Sequence, residues 1–240
     1  MDVFTTVYTV STNTGTVLFD CGSYGEDVEN YILPFLEMNH ITSDMLKYVF
    51  ISHNHGDHSG GLREFMKHFP KACIVTRCLE LKESFKDFSV LMPEDGEVLL
   101  NELKAVTVPG HTSDCTALFD TRTKTLISGD ALQSYGLFGS GKWASNVTLV
   151  REHLKAIEKL RNADIEQICT AHDYHPYGYR FDGKDAVRSC LQACTDALYQ
   201  IKDIINENPD ADDEEVCKIH DSLGLPSLAA DVVTAVRREL

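Results

Sequence analysis

The chain has 240 residues, which is long enough for one large α/β domain or two small ones. Of these residues 43% are hydrophobic and 25% are charged, as is typical of a soluble globular protein. Its formal net charge of −15 disfavours nucleic acid as a partner, because phosphate binding requires clustered lysine and arginine. The sequence shows no apolar run long enough to span a bilayer and no secretory signal, so we expect a cytoplasmic protein with reduced cysteines and no membrane partner.

The first half of the chain combines predicted strands with predicted helices. Two strands at 3–10 and 16–19 form a predicted hairpin, and a helical pattern over 26–38 is interrupted by Pro34. The later elements of this half are a strand at 48–51, a helix that begins after Gly61, and a strand at 72–76. Residues 77–96 are weakly patterned and receive no assignment.

The second half begins with strands and ends with helices. An alternating strand at 103–108 is followed by a hairpin made of strands at 115–119 and 125–127. The elements after this hairpin are an amphipathic helix at 146–161, a strand at 165–170, a helix from 185 that is broken at 209–215, and a last helix at 228–240. We therefore expect one domain over 1–240, in which 183–240 form a helical C-terminal extension.

The densest group of polar side chains follows the strand at 48–51. Three histidines and one aspartate lie within six residues, namely His53, His55, Asp57 and His58. In an extended chain, residues two apart point the same way, so His53 and His55 can hold one metal ion. Asp57 and His58 can serve a second ion next to it. Imidazole with carboxylate is a ligand set that suits zinc and also permits iron.

The pattern His-x-His-x-Asp-His after a strand resembles the signature of the metallo-β-lactamase fold superfamily. This resemblance implies three further ligands at later strand ends, a His, an Asp and a His in that order. His111, Asp130 and His172 each follow a predicted strand and meet this requirement. The resemblance also implies that Asp20, which closes the strand at 16–19, orients the ligand loop through hydrogen bonds. From the sequence alone, a turn-initiating aspartate is an equal alternative.

The resemblance implies both a fold and a metal centre. The fold is a four-layer αβ/βα sandwich, in which two mixed sheets pack face to face with helices outside. The implied ligands are His53, His55 and His111 for one divalent ion, Asp57, His58 and His172 for the other, and Asp130 as the bridge. Zinc is the expected metal, with iron and manganese as alternatives. Two such ions about 3.5–4 Å apart make a bound hydroxide nucleophilic near neutral pH, and Asp57 can relay its proton to the leaving group.

The expected activity follows from the branches of the superfamily that the motifs resemble. An intact Asp130 resembles the glyoxalase II-like and lactonase-like branches, which implies hydrolysis of a small ester, thioester or lactone. The flavodiiron branch typically has Glu in place of His55 and an attached flavodoxin domain, so that branch is not expected. The alternatives are a mononuclear iron persulfide dioxygenase, a phosphodiesterase of the same fold, and a non-catalytic binding module.

The loop after Asp130 is rich in glycine and aromatic residues, and it must pass near the site because it begins at an expected ligand. Four of its residues are candidates to contact the small-molecule substrate, or alternatively to pack the loop: Tyr135, Phe138, Lys142 and Trp143. Tyr174 is a candidate donor to an oxyanion, and His175 could also reach the site. The sequence leaves the oligomeric state open.

Overall fold

The computed structural model describes residues 5–138, 141–174 and 178–240. The strands of these ranges are β1 (Tyr8–Thr12), β2 (Gly15–Phe19), β3 (Leu46–Phe50), β4 (Cys73–Val75), β5 (Val90–Leu91), β6 (Val98–Leu99), β7 (Leu103–Thr107), β8 (Thr116–Asp120), β9 (Thr125–Ile127), β10 (Gly136–Phe138), β11 (Gly141–Trp143), β12 (Gln167–Tyr174) and β13 (Gly178–Asp182). The α-helices are α1 (Gly25–Asp27), α2 (Leu33–Met38), α3 (Gly56–Ser59), α4 (Leu62–His68), α5 (Leu79–Ser84), α6 (Val150–Arg161), α7 (Lys184–Glu207), α8 (Asp213–Ser222) and α9 (Ala230–Glu239). None of these helices is both long and apolar enough to cross a bilayer.

The first sheet has five strands in the order β1-β2-β3-β4-β5. β1 and β2 form the predicted hairpin and are antiparallel, whereas the other neighbours are parallel. One face of this sheet is covered by helices, because apolar side chains of β3 and β4 pack against those of α4 and of the helical segment 25–38. Leu18, Val49, Ile74 and Phe65 belong to this buried cluster.

The second sheet has eight strands, with the order β11-β10-β12-β9-β8-β7-β6 and with β13 paired to β12. Only the β9–β12 pair is parallel among these described pairings. Its outer face carries α6 and α7, whose apolar stripes include Ile157 and Leu191 and pack on Leu126 and Ile168. Further along, α6 and α7 share another core with α8 and α9.

The two sheets pack against each other through their inner faces. Phe19 and Phe50 of the first sheet stack with ring centroids 5.3 Å apart, and they share a buried cluster with Leu103 and Leu118 of the second sheet. The resulting order is helix, sheet, sheet, helix, which is the layering expected from burying both faces of each sheet. The predicted four-layer sandwich with C-terminal helices is confirmed.

Several predicted boundaries differ from the structure. The helix predicted at 26–38 contains a π-helical turn at Val28–Ile32, which ends two residues before Pro34. This proline has no N–H to donate and would crowd the carbonyl one turn earlier. The unassigned segment 77–96 contains α5 and β5. The strand predicted at 165–170 runs over Gln167–Tyr174, because His172 and Asp173 interrupt the apolar pattern but not the pairing.

Candidate metal centre

The segment that carries His53, His55, Asp57 and His58 runs from the end of β3 through α3, and Asp57 and His58 lie on this short helix. It lies against the turn that follows β2, where the Cys21 N–H donates to the carbonyl of His58 at 2.8 Å. Gly60 is required by this close approach, because a Cβ there would lie 1.9 Å from the carbonyl oxygen of Ser23. These backbone contacts thus hold the loop in place without any contribution from its histidine and aspartate side chains.

Asp20 is fully buried behind the ligand loop, in a left-handed backbone conformation with φ of 64°. Its Oδ1 accepts the N–H of Ser52 at 2.8 Å, and its Oδ2 accepts the Ser52 hydroxyl at 2.9 Å. The same Oδ2 lies 2.8 Å from Nδ1 of His58. Asp20 therefore holds the loop and one imidazole, and it belongs to none of the groups of side chains that could hold a metal.

The structure brings together all seven side chains that the sequence singled out as ligands. They form three groups within which the ligand atoms all lie less than 4.8 Å apart: His53 with His55 and His111, His53 with His58 and Asp130, and Asp57 with His58 and His172. The first and third groups are the two sets expected from the sequence. The middle group shares one histidine with each of them.

Asp130 follows β9 and lies between the two outer groups. Its Oδ2 is 3.8 Å from Nε2 of His111 and 3.5 Å from Nε2 of His58. Its Oδ1 is 3.2 Å from Nε2 of His172. A carboxylate in contact with imidazoles of both sets has the placement that a bridging ligand needs.

Two of the histidines are oriented by hydrogen bonds at the nitrogen that faces away from the group. Nδ1 of His58 is bonded to Asp20, and Nδ1 of His111 is 2.8 Å from the carbonyl oxygen of Asn146. Because a carbonyl or carboxylate oxygen only accepts, each Nδ1 carries the proton, and this leaves Nε2 as the ligand atom. Such outer hydrogen bonds are the usual way in which proteins set the tautomer of a metal-binding imidazole.

Two buried nitrogens test whether the residues fit a metal. Nε2 of His53 and Nε2 of His58 are buried and make no hydrogen bond within the described ranges. A buried polar atom left without a partner costs roughly 1–3 kcal/mol, so such atoms are rare in folded proteins. Nε2 of His58 lies 3.3 Å from an oxygen of Asp57 and 3.5 Å from an oxygen of Asp130. His53 belongs to the same group of ligand-type side chains as His58 and Asp130. A cation among these side chains would satisfy both nitrogens, and the donor set therefore fits a metal.

The electrostatics of the group divide its histidines into two kinds. Burial lowers the pKa of His53 and of His111 below the usual value. Burial also opposes the charged form of His172, but the hydrogen bonds that its imidazole donates to Asp130 and Asp57 outweigh burial and raise its pKa to about 9. For His58 the nearby Asp130 and Asp20 likewise outweigh burial and raise the pKa. A bound cation would replace these protons, so metal binding should release protons.

The His111 loop is held against α6. The carbonyl of Gly110 accepts the N–H groups of Thr148 and Leu149, both at 3.0 Å. His153 of α6 is fully buried against this glycine, and a Cβ at Gly110 would lie 2.4 Å from its Nδ1. The position beside this expected ligand therefore requires glycine for close packing.

The other candidate residues lie around the edge of the site or away from it. The hydroxyl of Tyr135 donates to Gln200, which ties the loop after Asp130 to α7. Trp143 is 40% exposed, whereas Tyr174 is only 2% exposed and lies in the core of the second sheet. The side chains of Phe138 and Lys142 and the whole of His175 lie outside the described residues. Their roles toward substrate stay predictions.

Three contacts of the site were missed from the sequence. The hydroxyl of Thr5 donates to Oδ2 of Asp57 at 2.9 Å, Ser52 links Asp20 to the loop, and the Asn146 carbonyl orients His111. Ser52 could have been found, since it directly precedes the first histidine. The other two gave no signal, because they depend on contacts between distant parts of the chain.

Comparison with known proteins supports the resemblance read from the motif. A family model described as the metallo-beta-lactamase superfamily matches residues 1–77, which include the His-x-His-x-Asp-His segment. A hydroxyacylglutathione hydrolase of Pectobacterium carotovorum is 32% identical over 137 residues, which cover 55% of this chain and 50% of that protein. This chain thus spans about half the length of curated relatives such as this one.

Solved structures show the same fold. The rubredoxin oxygen:oxidoreductase of Desulfovibrio gigas superposes with a TM-score of 0.66 at 18% identity, covering 97% of this chain and 67% of that one. A metallo-β-lactamase of Cronobacter sakazakii superposes with a TM-score of 0.60 at 15% identity, covering 82% of this chain and 87% of the other. At such low identity the likeness concerns the fold alone. The predicted resemblance to the metallo-β-lactamase superfamily is confirmed, and the chain has the metallo-β-lactamase fold.

Proposed function

We propose that this chain, which has the metallo-β-lactamase fold, is a metal-dependent hydrolase that cleaves a small ester, thioester or lactone at a site for two divalent ions. The observation that carries the proposal is the convergence of seven ligand-type side chains into three overlapping groups. One tetrahedral ion uses only four ligands, so this number favours two ions over the mononuclear alternative. The matched hydroxyacylglutathione hydrolase supports an acyl substrate.

The chain's own residues divide into two holding sets and a shared carboxylate. His53, His55 and His111 would hold one ion, and Asp57, His58 and His172 would hold the other. Asp130 would contact both, as its distances to imidazoles of the two sets indicate. Zinc suits this nitrogen and oxygen set best, and iron and manganese remain alternatives. When bound, the two ions supply a hydroxide nucleophile near neutral pH and stabilise the developing oxyanion.

Asp57 is the residue that we assign to proton transfer. Its side chain is 28% exposed, so water and substrate can reach it, and one of its oxygens is fixed by the hydroxyl of Thr5. Burial favours its protonated form, but the contacts of its carboxylate with the imidazoles of His172 and His58 outweigh burial and hold its pKa far below the usual value. An ionised, oriented and reachable carboxylate can take the proton of the attacking water and pass it to the leaving group.

The proposal includes a single domain over 1–240 with a helical extension from 183. This organisation is supported by α6 and α7, which contribute to one core under the second sheet and to another with α8 and α9. The backbone N–H of Arg151 in α6 also donates to Glu239 at 2.9 Å. The proposed partner is a small molecule in the cytoplasm, and the net charge of −15 argues against nucleic acid.

The test combines metal analysis with a panel of substrates. Protein loaded with zinc, manganese or iron should hold two equivalents and hydrolyse esters, thioesters or lactones. Asp130→Ala should lose at least one equivalent, whereas the exposed histidine control His68→Ala should keep both. One equivalent in the wild type, unchanged by Asp130→Ala, would contradict the dinuclear site. Cleavage of only a phosphodiester, or oxygen uptake by iron-loaded protein without hydrolysis, would contradict the reaction class.

A further inference from the structure

A cavity of about 570 Å³ lies beside the metal centre, between the β1–β2 hairpin and the helical segment 25–38. Its volume is within the range of about 300–1,000 Å³ that is usual for small-molecule sites. Thr9 and Val7 line it from the hairpin side, and Tyr31, Ile32 and Phe35 line it from the helical side. None of these residues belongs to the ligand groups of the metal centre.

The cavity is lined by a residue that contacts Asp57, the residue proposed for proton transfer. Thr5 lines it, and the hydroxyl of the same residue donates to Oδ2 of Asp57 at 2.9 Å. Gly22 also lines it, and its carbonyl accepts the N–H of Gly61, at the end of the ligand loop, at 3.3 Å. A molecule that contacts Thr5 in the cavity would therefore be separated only by this side chain from Asp57, the residue that we assign to proton transfer.

The lining is mainly apolar and has no cation among its residues, all of which lie in the described ranges. Its one charged residue is Asp27, whose Oδ2 accepts the backbone N–H groups of Ser23 at 2.8 Å and Tyr24 at 2.9 Å. An anionic ligand would meet this carboxylate without a compensating positive charge. The cavity therefore disfavours an anionic part of a substrate, such as a peptide leaving group that carries carboxylates. It favours a neutral apolar chain.

Three large side chains on the rim remain exposed. Tyr24 is 70% exposed, Tyr31 is 71% exposed, and Phe35 is 44% exposed, whereas Leu18 on the floor is buried. Exposed aromatic side chains gathered around a concave apolar surface are typical of binding grooves. The rim can bury a chain that lies along the floor.

We propose that this cavity binds the acyl chain of the substrate, an unbranched aliphatic chain of medium length, with the ester, thioester or lactone carbonyl next to Asp57. This inference rests on the proposed function, because it assigns a substrate class to the same site. It makes Thr9, Tyr31 and Phe35 specificity-determining residues that have no part in holding the metals.

The first measurement is the dependence of kcat/KM on chain length in a series of neutral thioesters from acetyl to dodecanoyl. Each buried methylene should raise kcat/KM by about fourfold until the cavity is full, after which the values should level off. Thr9→Trp should fill the cavity and remove most of this dependence while the acetyl substrate is still cleaved. Tyr31→Ala and Phe35→Ala should flatten the dependence in part, and Tyr199→Ala, an exposed aromatic on α7, should leave it unchanged.

The second measurement is calorimetric binding of the neutral alcohols 1-hexanol, 1-octanol and 1-decanol to metal-free protein. Affinity should rise with chain length and fall at least tenfold in Thr9→Trp or Phe35→Ala, each checked for folding by thermal unfolding. Hydrolysis with no chain-length preference and no alcohol binding would overturn the inference and leave the proposed function intact. Alcohol binding as expected, with no acyl hydrolysis, would contradict the function and leave the cavity assignment.

A second copy of the chain is the competing occupant of the rim. Sedimentation of wild type and Phe35→Ala distinguishes it from the acyl chain. A monomer in both cases is expected. A wild-type dimer that Phe35→Ala dissociates, with no effect on chain-length preference, would assign the rim to self-association and overturn the inference.

Discussion

Replacing Asp20 with Asn should weaken metal binding without removing any ligand. Asparagine has almost the same size and tolerates the left-handed backbone at this position, where φ is 64°. Asp20, however, accepts hydrogen bonds on both oxygens, from Ser52 N–H on one and from the Ser52 hydroxyl and His58 Nδ1 on the other. In Asp20→Asn an NH2 group must face one of these donors, whichever way the amide is turned.

The expected loss can be estimated from these contacts. If the NH2 group faces His58, the imidazole must rotate or move its proton to Nε2, and either change removes the lone pair that the metal needs. Loss of such an outer partner typically lowers metal affinity about 10- to 100-fold, which corresponds to about 1.4–2.7 kcal/mol. In the metal-free protein, loss of a hydrogen bond to a charged group should lower the free energy of unfolding by about 1.5–3 kcal/mol.

Zinc competition against a chromogenic chelator measures both equivalents, and denaturant titration of metal-free protein measures the free energy of unfolding. The ion held by Asp57, His58 and His172 should be the weakened one. Asp120→Asn is the matched control, because Asp120 is also buried and hydrogen-bonded, to Arg122, but lies outside the ligand groups. Unchanged affinity for both ions in folded Asp20→Asn, or an equal loss in Asp120→Asn, would refute the reasoning.

Three further changes test the proton transfer, the packing and the electrostatics. Asp57→Asn, assayed at metal concentrations that fill both sites, should lower kcat by about 10²-fold or more, as measured by metal content and steady-state rates. Gly110→Ala should lower the free energy of unfolding by about 1–3 kcal/mol, because its Cβ would lie 2.4 Å from His153 Nδ1, and adding His153→Ala should recover part of that loss. Burial lowers the pKa of His220 in the folded protein. As the pH falls through the usual pKa of histidine, the unfolded state therefore binds more protons than the folded state, and the free energy of unfolding decreases. His220→Gln should reduce this dependence in denaturant titrations between pH 7 and 5.

Each of these expectations has an outcome that contradicts it. Full activity of Asp57→Asn with both ions bound would leave Asp57 as a ligand without a role in proton transfer. A Gly110→Ala protein of wild-type stability would show that the His111 loop and α6 can separate at little cost. An unchanged pH profile in His220→Gln would mean that this imidazole titrates alike in the folded and unfolded chain.

The proposed ligands could be recognised as candidates in the sequence because their signal is local. His53, His55, Asp57 and His58 lie within six residues, and His111 and Asp130 each follow an apolar strand that the alternation of side chains reveals. The contact between Thr5 and Asp57 could not be predicted, because they are 52 positions apart in the sequence and only the tertiary fold brings them together. The local sequence pattern shows which residues could act as ligands, whereas tertiary packing determines which of them come into contact.

The same limit explains the errors in the secondary structure. β12 continues through His172 because it pairs with β10 and β13, neither of which the sequence indicated. α5 has only six residues and β5 two, so their patterns are too short to recognise. The π-helical turn before Pro34 was visible only as an interruption, since the sequence shows that a proline disturbs a helix but not how the backbone adjusts.

Four of the seven ligand-type residues of the candidate metal centre belong to the part of the chain that forms the first sheet, and three belong to the part that forms the second. His53, His55, Asp57 and His58 come from the chain after β3 of the first sheet, and the other three ligand-type residues come from the second sheet. The last strand of the first sheet ends at Leu91, and the first strand of the second sheet begins at Val98. Residues 92–97 therefore connect the part of the chain that carries the first four ligand-type residues to the part that carries the other three. A chain opened within that link would give two fragments that each carry an incomplete set, and metal-dependent activity recovered on mixing would report directly on how well the halves recognise each other.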